Sequence, residues 1–308
     1  MTADPSLPVT RRTLLAGAAG VVGVSALLAA CGSDNASSDS PPESAGGNTD
    51  GSSGSSGAGD FVVVQRFPNN QAFVAGPVRL AVSLARSDGA LLVDGPERLT
   101  GRVRNDAGDV IGPIDAIRRG TGLSVPYWSI IANLPAAGLY SLAIDGAIGD
   151  PTPVLVFDAE AITMPVIGQP LPPFDTPTTS DARGVDPVCT RLAGACPFHE
   201  LTLTEALALG KPVVYLVGTP AHCTTATCGP GLDFLVDASP AYADRVTFVH
   251  AEVYSDPEGT TVAPAVNALT LAYEPVMFFT DAAGVLTDRV DIVWDAADLK
   301  DLLAAAFG

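Results

Sequence analysis

Cys223 and Cys228 stand five positions apart, shortly after the apolar run 212–218, with Gly229 and Pro230 directly following Cys228. On an ideal α-helix, positions five apart lie roughly 8.6 Å apart at Cα, beyond the ~7 Å over which a disulfide closes. If the two sulfurs pair, residues 224–227 must be a loop, and the helix begins after it. Pro230 agrees with this, because proline is favoured at the first helical position; the predicted helix therefore starts near Pro230, with Cys228 at its mouth. A strand, a short thiol-bearing loop and a helix then follow one another without a break.

The chain has five cysteines: Cys31, Cys189, Cys196, Cys223 and Cys228. Cys31 ends a segment of a different kind. Arg11 and Arg12 lead into an apolar, Gly/Ala-rich stretch that closes on Leu28-Ala-Ala-Cys31. A charged start, a short apolar centre and small residues before a cleavage point describe an export signal over residues 1–30. The paired arginines resemble a twin-arginine address, and the last four residues resemble a bacterial lipobox. That resemblance implies cleavage before Cys31 and a lipid on its sulfur, anchoring the protein on the extracytoplasmic face of the cell membrane. Residues 31–60 are almost wholly Gly, Ser, Asp, Asn, Pro and Glu. With nothing to bury, they read as a disordered tether.

In an exported protein disulfides persist, and four cysteines remain once Cys31 is set aside. They fall into two close pairs. The local pairing joins Cys189 to Cys196 and Cys223 to Cys228, and crossed pairings stay open. Cys189 and Cys196 bracket a small ring, expected to be a structural disulfide that orders the segment ahead of the last domain. A second redox pair is the other reading. The 34 acidic residues against 16 basic give a net charge of −18. A field of that sign repels nucleic acid and anionic head groups, so neither is an expected partner.

Residues 61–160 read as short strands broken by turns. Val78-Arg-Leu-Ala-Val-Ser-Leu84 alternates with period two, and runs at 99–104, 127–134, 139–144 and 154–157 continue the pattern. Turn residues at 87–90 and 105–108 separate them. Regularly spaced strands without a helical run predict a small antiparallel sandwich. Leu134-Pro-Ala-Ala-Gly-Leu-Tyr140 resembles the corner of immunoglobulin-like domains, where a tyrosine hydroxyl bonds back to the chain. An ordinary half-buried strand tyrosine is the alternative for Tyr140. This part holds no cysteine or histidine, and reads as a spacer or recognition module.

Residues 161–194, with Pro165, Pro170, Pro172, Pro173 and Pro177, read as an extended connector. From 195 to 308 helix and strand signals alternate. Thr202-Leu-Thr-Glu205 is a capping box ahead of a short helix closed by Gly210. Residues 212–217 are continuously apolar, as in a strand covered on both faces. Residues 231–237 and 241–244 read as helix, interrupted at Pro240. A strand at 245–253, a helix at 263–271, a hairpin at 276–280 and 285–290, and an amphipathic helix at 296–307 complete the order.

That order, the strand–dithiol–helix unit and Pro275 before a strand resemble the thioredoxin-like family over roughly residues 195–308. The whole is expected to be an all-β immunoglobulin-like sandwich followed by an α/β thioredoxin-like domain. The resemblance implies a cis peptide at Glu274–Pro275 and a redox site of Cys223, Cys228 and Pro275, with His222 beside the thiol. The family usually has two residues between its cysteines; here there are four. Two registers stay open: Cys223 as the exposed nucleophile with Cys228 resolving, or Cys228, made more acidic by the helix mouth, with Cys223 as partner. The function implied is thiol–disulfide exchange with protein thiols or disulfides outside the cytoplasm, with no cofactor and no metal assigned. A non-catalytic binding lipoprotein with a structural Cys223–Cys228 bond is an alternative. Another is a Cu(I) carrier resembling the Sco type, with His222 joining the two sulfurs.

Overall fold

The computed structural model describes residues 61–68 and 72–308. The signal, the tether and Cys31 lie outside the described residues. Among the described residues, no helix is long and apolar enough to cross a membrane.

Seven strands build the first sheet: β1 (Val62–Gln65), β2 (Gly76–Ala85), β3 (Arg98–Asn105), β4 (Val110–Arg119), β5 (Tyr127–Leu134), β6 (Gly138–Ile144) and β7 (Thr152–Val156). Their order is β1-β2-β5-β4-β3-β6-β7, antiparallel throughout. β4 pairs with β3 over most of its length but meets β5 only through Arg118 and Arg119. The sheet therefore folds on itself at that end of β4. Isolated bridges from Phe61 to Ala147 and from Val74 to Phe157 draw its outer edges together, giving a barrel-like form. One core fills it: Leu80, Val82, Leu84, Trp128 and Ile130 face Leu99, Val103, Ile114, Leu142 and Val156. The strands alternate buried and exposed positions, as in β7, because successive side chains point to opposite faces.

All five strands predicted in this half are present. The reading passed over β4, where Gly112 and Pro113 break the apolar pattern. The Tyr140 hydroxyl bonds back to the chain: it donates to the Ala136 carbonyl at 2.9 Å and accepts from the Ala136 amide at 3.2 Å.

The second sheet has four strands, β8 (Val213–Val217), β9 (Thr247–Ala251), β10 (Val276–Thr280) and β11 (Leu286–Asp291), in the order β11-β10-β8-β9. β8 and β9 are parallel; β10 runs antiparallel to both β8 and β11. Four helices accompany it: α1 (Leu203–Ala208), α2 (Cys228–Ala238), α3 (Pro264–Ala268) and α4 (Ala296–Phe307). Every residue of β8 is buried, and its side chains divide between two cores. Val214 and Leu216 join Leu232 and Leu235 of α2 and Leu299 and Leu303 of α4. Val213, Tyr215 and Val217 join Leu203 of α1 and Ala265 of α3. The capping box is complete at Thr202 and Glu205. The element order, a helix and then βαβαββα with a helix rising from the end of β8, is the one read from the sequence.

Residues 161–194, read as an extended connector, place Leu171 in the core beside β8 and Cys189 in the core beside α2. The described residues also belong to one compact unit. The face of β2 that reads as polar in the sequence is covered instead of wet. Ala81 packs with Tyr127 and Val293. The Arg79 guanidinium donates to the Val293 carbonyl at 2.9 Å and is bonded to the Asp298 carboxylate. The Tyr127 hydroxyl donates to Asp298 at 2.8 Å and accepts from the Asp295 amide at 3.0 Å. Asp295 in turn caps α4 and takes the amides of Gly120 and Thr121. Burial beside Asp298 pushes the Tyr127 phenol up, so it stays a donor. Helix α4 thus begins in a cradle made by the first sheet.

Removing one member of a buried ion pair leaves the other charge without a partner, at a cost of about 3–5 kcal/mol. Asp298→Ala is therefore expected to lower unfolding free energy by about that amount in a urea titration. A loss below about 1 kcal/mol, the range of exposed pairs, would show that the pair is not a structural joint.

Candidate functional site

The candidate site lies at the end of β8, where Gly218 leads into the loop 219–227. Cys223 and Cys228 are joined by a disulfide, with Cα atoms 5.9 Å apart. As the spacing requires, residues 224–227 are a loop, with Ala226 at a φ of 55°. The helix begins at Cys228, two residues before the position read from Pro230. Proline is tolerated there because the first turn has no intrahelical partner for its amides.

The two sulfurs differ in environment. Cys228 is 2% exposed, whereas Cys223 is only partly buried. The Cys223 Sγ accepts the Cys228 amide at 3.2 Å and lies 3.2 Å from the Thr225 hydroxyl. The Thr225 hydroxyl is itself 2.7 Å from that of Thr227, which donates to the Ile292 carbonyl. A donor aimed at a sulfur favours its ionised form, and the Cys228 amide, the first of a helix, is that donor; the Thr225 proton goes to Thr227, whose own goes to Ile292.

The peptide at Glu274–Pro275 is cis, and Pro275 is buried. A Cβ on Gly218 would come within 3.1 Å of the Pro275 Cβ and 3.7 Å of the Cys228 Cβ. A side chain here would press on the proline, which would have to give by a few tenths of an ångström, and would just touch the cysteine. The preceding residue brings a group the sequence reading gave no role. Glu274 Oε2 lies 3.6 Å from the Cys228 Sγ and accepts the Thr219 amide at 2.8 Å. Burial pushes the Glu274 carboxyl up to about 7, although the Thr219 amide works against it. A carboxyl poised there can exchange a proton with Cys228 near neutral pH.

His222 turns elsewhere. Its Nε2 faces the Pro257 carbonyl at 3.1 Å, and its ring stands edge-on to Tyr254. The expected support for Cys223 comes instead from the Cys228 amide.

Cys189 and Cys196 are corrected outright: they are free, buried thiols, not a disulfide. Their sulfurs lie 3.9 and 3.7 Å from the His250 Nδ1, and the Cys196 amide donates to the Cys189 Sγ at 3.4 Å. The His250 Nδ1 is 3.1 Å from the His199 Nε2. The Cys196 thiol, donating to the Cys189 sulfur, holds Cys189 well below the usual thiol range, while that bond and burial push Cys196 up. Burial works to lower His250, but bonding to the Cys189 sulfur outweighs it and raises the imidazole. The sequence reading assigned His199 and His250 no part here, because the two lie fifty-one positions apart and only the fold joins them.

No family model matches the sequence, and no curated protein matches it. Among solved structures, the chain is similar to a thiol:disulfide interchange protein, described as a thioredoxin family protein, from Chlorobium tepidum. The identity is 16% and the TM-score 0.34, over 46% of this chain and 99% of that one.

Between about pH 4.5 and 7, the unfolded chain has lost the Glu274 proton while the folded protein keeps it. Unfolding then releases a proton, so this group's contribution to stability falls as pH rises through that window. Glu274→Gln is expected to flatten the dependence of unfolding free energy on pH between those values. An unchanged slope in the variant would mean that the titrating group is not Glu274.

Proposed function

We propose that this chain is a thiol–disulfide oxidoreductase acting through Cys223 and Cys228, anchored by a lipid on Cys31 outside the cytoplasm. The observation that carries the reading is the asymmetric disulfide: one sulfur reachable and met by the Cys228 amide, the other buried against Glu274 beside Pro275. A staple that only closed a loop would not need a carboxyl with a raised pKa against one of its sulfurs.

In the reducing direction, the Cys223 thiolate attacks one sulfur of a substrate disulfide. The substrate S–S bond breaks, a mixed disulfide forms, and the departing sulfur leaves as a thiolate that takes a proton from water. Glu274 accepts the proton of the Cys228 thiol, and the resulting thiolate attacks the Cys223 sulfur. The second substrate sulfur leaves, the Cys223–Cys228 bond closes, and two electrons have passed to the substrate. Oxidation of a substrate dithiol runs the same steps backwards. Pro275 offers no N–H, so an extended substrate segment beside it bonds through neighbouring backbone groups. The first sheet, with its Tyr140 corner, reads as an immunoglobulin-like module that carries this site at the end of the tether.

Thiolate attack places Cys223 first, so Cys223→Ser is expected to abolish exchange with a model disulfide while the protein stays folded. Loss of a general base costs roughly 10²-fold or more, and Glu274→Gln is expected to slow closure of the mixed disulfide by about that factor. The pH step near 7 should disappear from its rate profile as well. A reduction potential below about −300 mV for the pair would identify an inert structural bond and end the reading. For the anchor, Cys31→Ala is expected to move the exported protein from the membrane to the soluble fraction; continued membrane retention would refute lipid attachment at that residue.

A further inference from the structure

We propose that Cys189, Cys196, His199 and His250 form a closed Cys2His2 seat for a Zn2+ ion. The four residues are buried, and one donor atom from each lies within 4.8 Å of all the others.

The distances are close to those a tetrahedral ion imposes. Zn–N bonds of about 2.0–2.1 Å and Zn–S bonds of about 2.3 Å put neighbouring donors about 3.3 Å apart for two nitrogens and about 3.6 Å for nitrogen and sulfur. The His250 Nδ1 lies 3.1 Å from the His199 Nε2 and 3.7 and 3.9 Å from the two sulfurs. Closure needs shifts of a few tenths of an ångström at these contacts.

The outward hydrogen bonds select the tautomers such an ion requires. The His250 Nε2 faces the Gly218 carbonyl at 3.0 Å, and the His199 Nδ1 faces the Pro177 carbonyl at 3.5 Å. A carbonyl only accepts, so each ring carries its proton on the outer nitrogen. The inner nitrogens then present two lone pairs to each other in a buried site, alongside two sulfurs. Either an extra proton or a cation must stand between them. Metal-bound histidines characteristically donate their other ring N–H in this way, which fixes ring orientation. The backbone adds to the frame: the His250 amide donates to the Phe198 carbonyl, and the Thr179 amide to that of His199.

The donor set decides the ion. Two thiolates and two imidazoles suit Zn2+ in four-coordinate geometry, and with no open position the site is structural, not catalytic. Loading exchanges two thiol protons for the metal, so one Zn2+ bound releases up to two protons. Three ligands come from the segment before α1 and one from β9. The ion would therefore tie that segment to the sheet, and the Gly218 carbonyl puts the tie one residue from the dithiol loop. Zinc would also keep these two thiols from oxidising in a compartment where disulfides form.

The test uses the full chain, reduced, stripped of metal, and titrated with Zn2+ against a chromophoric chelator. One equivalent is expected to bind, with proton release and a higher Tm. Co2+ in its place should show the visible bands of a tetrahedral thiolate complex. Cys196→Ser is expected to weaken Zn2+ binding roughly 100-fold or more. A Cys223→Ser/Cys228→Ser double variant should bind as the parent does, which separates this site from exchange at the dithiol. Because buried substitutions can unfold the protein, alkylation of the unaltered chain gives a second readout: Cys189 and Cys196 should be protected when zinc is present and react when it is removed. Folded, reduced protein that takes up no zinc would overturn the proposal. So would a Cys189–Cys196 disulfide in the isolated protein, binding lost only in the double variant, or retention of Cu(I) but not Zn2+.

Discussion

The end of β8 is where the structure is most constrained, and the constraint is steric. Gly218 leaves room that any side chain would fill, with Pro275 and Cys228 pressed against that space. Its carbonyl receives the His250 ring, and its amide donates to the Ala251 carbonyl of β9. One residue without a Cβ thus fixes the dithiol, the cis peptide and the buried histidine relative to one another. The neighbouring Thr219 amide then aims Glu274 at the Cys228 sulfur.

The segment ahead of α1 depends on the same region through polar contacts. The Thr190 amide and hydroxyl both donate to the buried Glu252 carboxylate at the end of β9, and the Thr190 hydroxyl accepts the Ala221 amide of the dithiol loop. Arg191 pairs with Asp233 on α2 at 2.6 Å. The stretch from Cys189 to His199 therefore bridges β9, the dithiol loop and α2. Its cysteines are part of the core and do not form an appended ring.

Much of this was legible from local pattern. The continuous apolar run of β8, the capping box at Thr202, the loop demanded by five-residue spacing, and the hairpin of β10 and β11 all depend on neighbours in sequence. Tyr140 was readable because its partner lies four residues away. What escaped was non-local. Arg79 and Ser83 alternate with apolar residues as an exposed face would, but Arg79 is met by Asp298 of α4 and Ser83 by Arg66 and the Pro126 carbonyl. Glu274 was seen as the residue before a proline, since nothing in the chain reveals that Thr219 and Cys228 fold against it. Proximity in sequence argued for joining Cys189 to Cys196, whereas the distant His250, meeting His199 beside them, supplied different partners.

The cradle at the start of α4 has a consequence for how the molecule comes apart. Tyr127, Arg79 and the backbone of Gly120 and Thr121 hold Asp295 and Asp298, and α4 in turn packs Leu299 and Leu303 into the core beneath the dithiol. Pulling the seven-stranded sheet away would take Arg79 and the Tyr127 hydroxyl from Asp298, and the Gly120 and Thr121 amides from Asp295, leaving both carboxylates without those partners. The two halves are therefore coupled cooperatively. A fragment cut after β7 would lose the support under its closing helix, so the sheet that lacks any chemistry of its own acts as scaffold for the half that carries it.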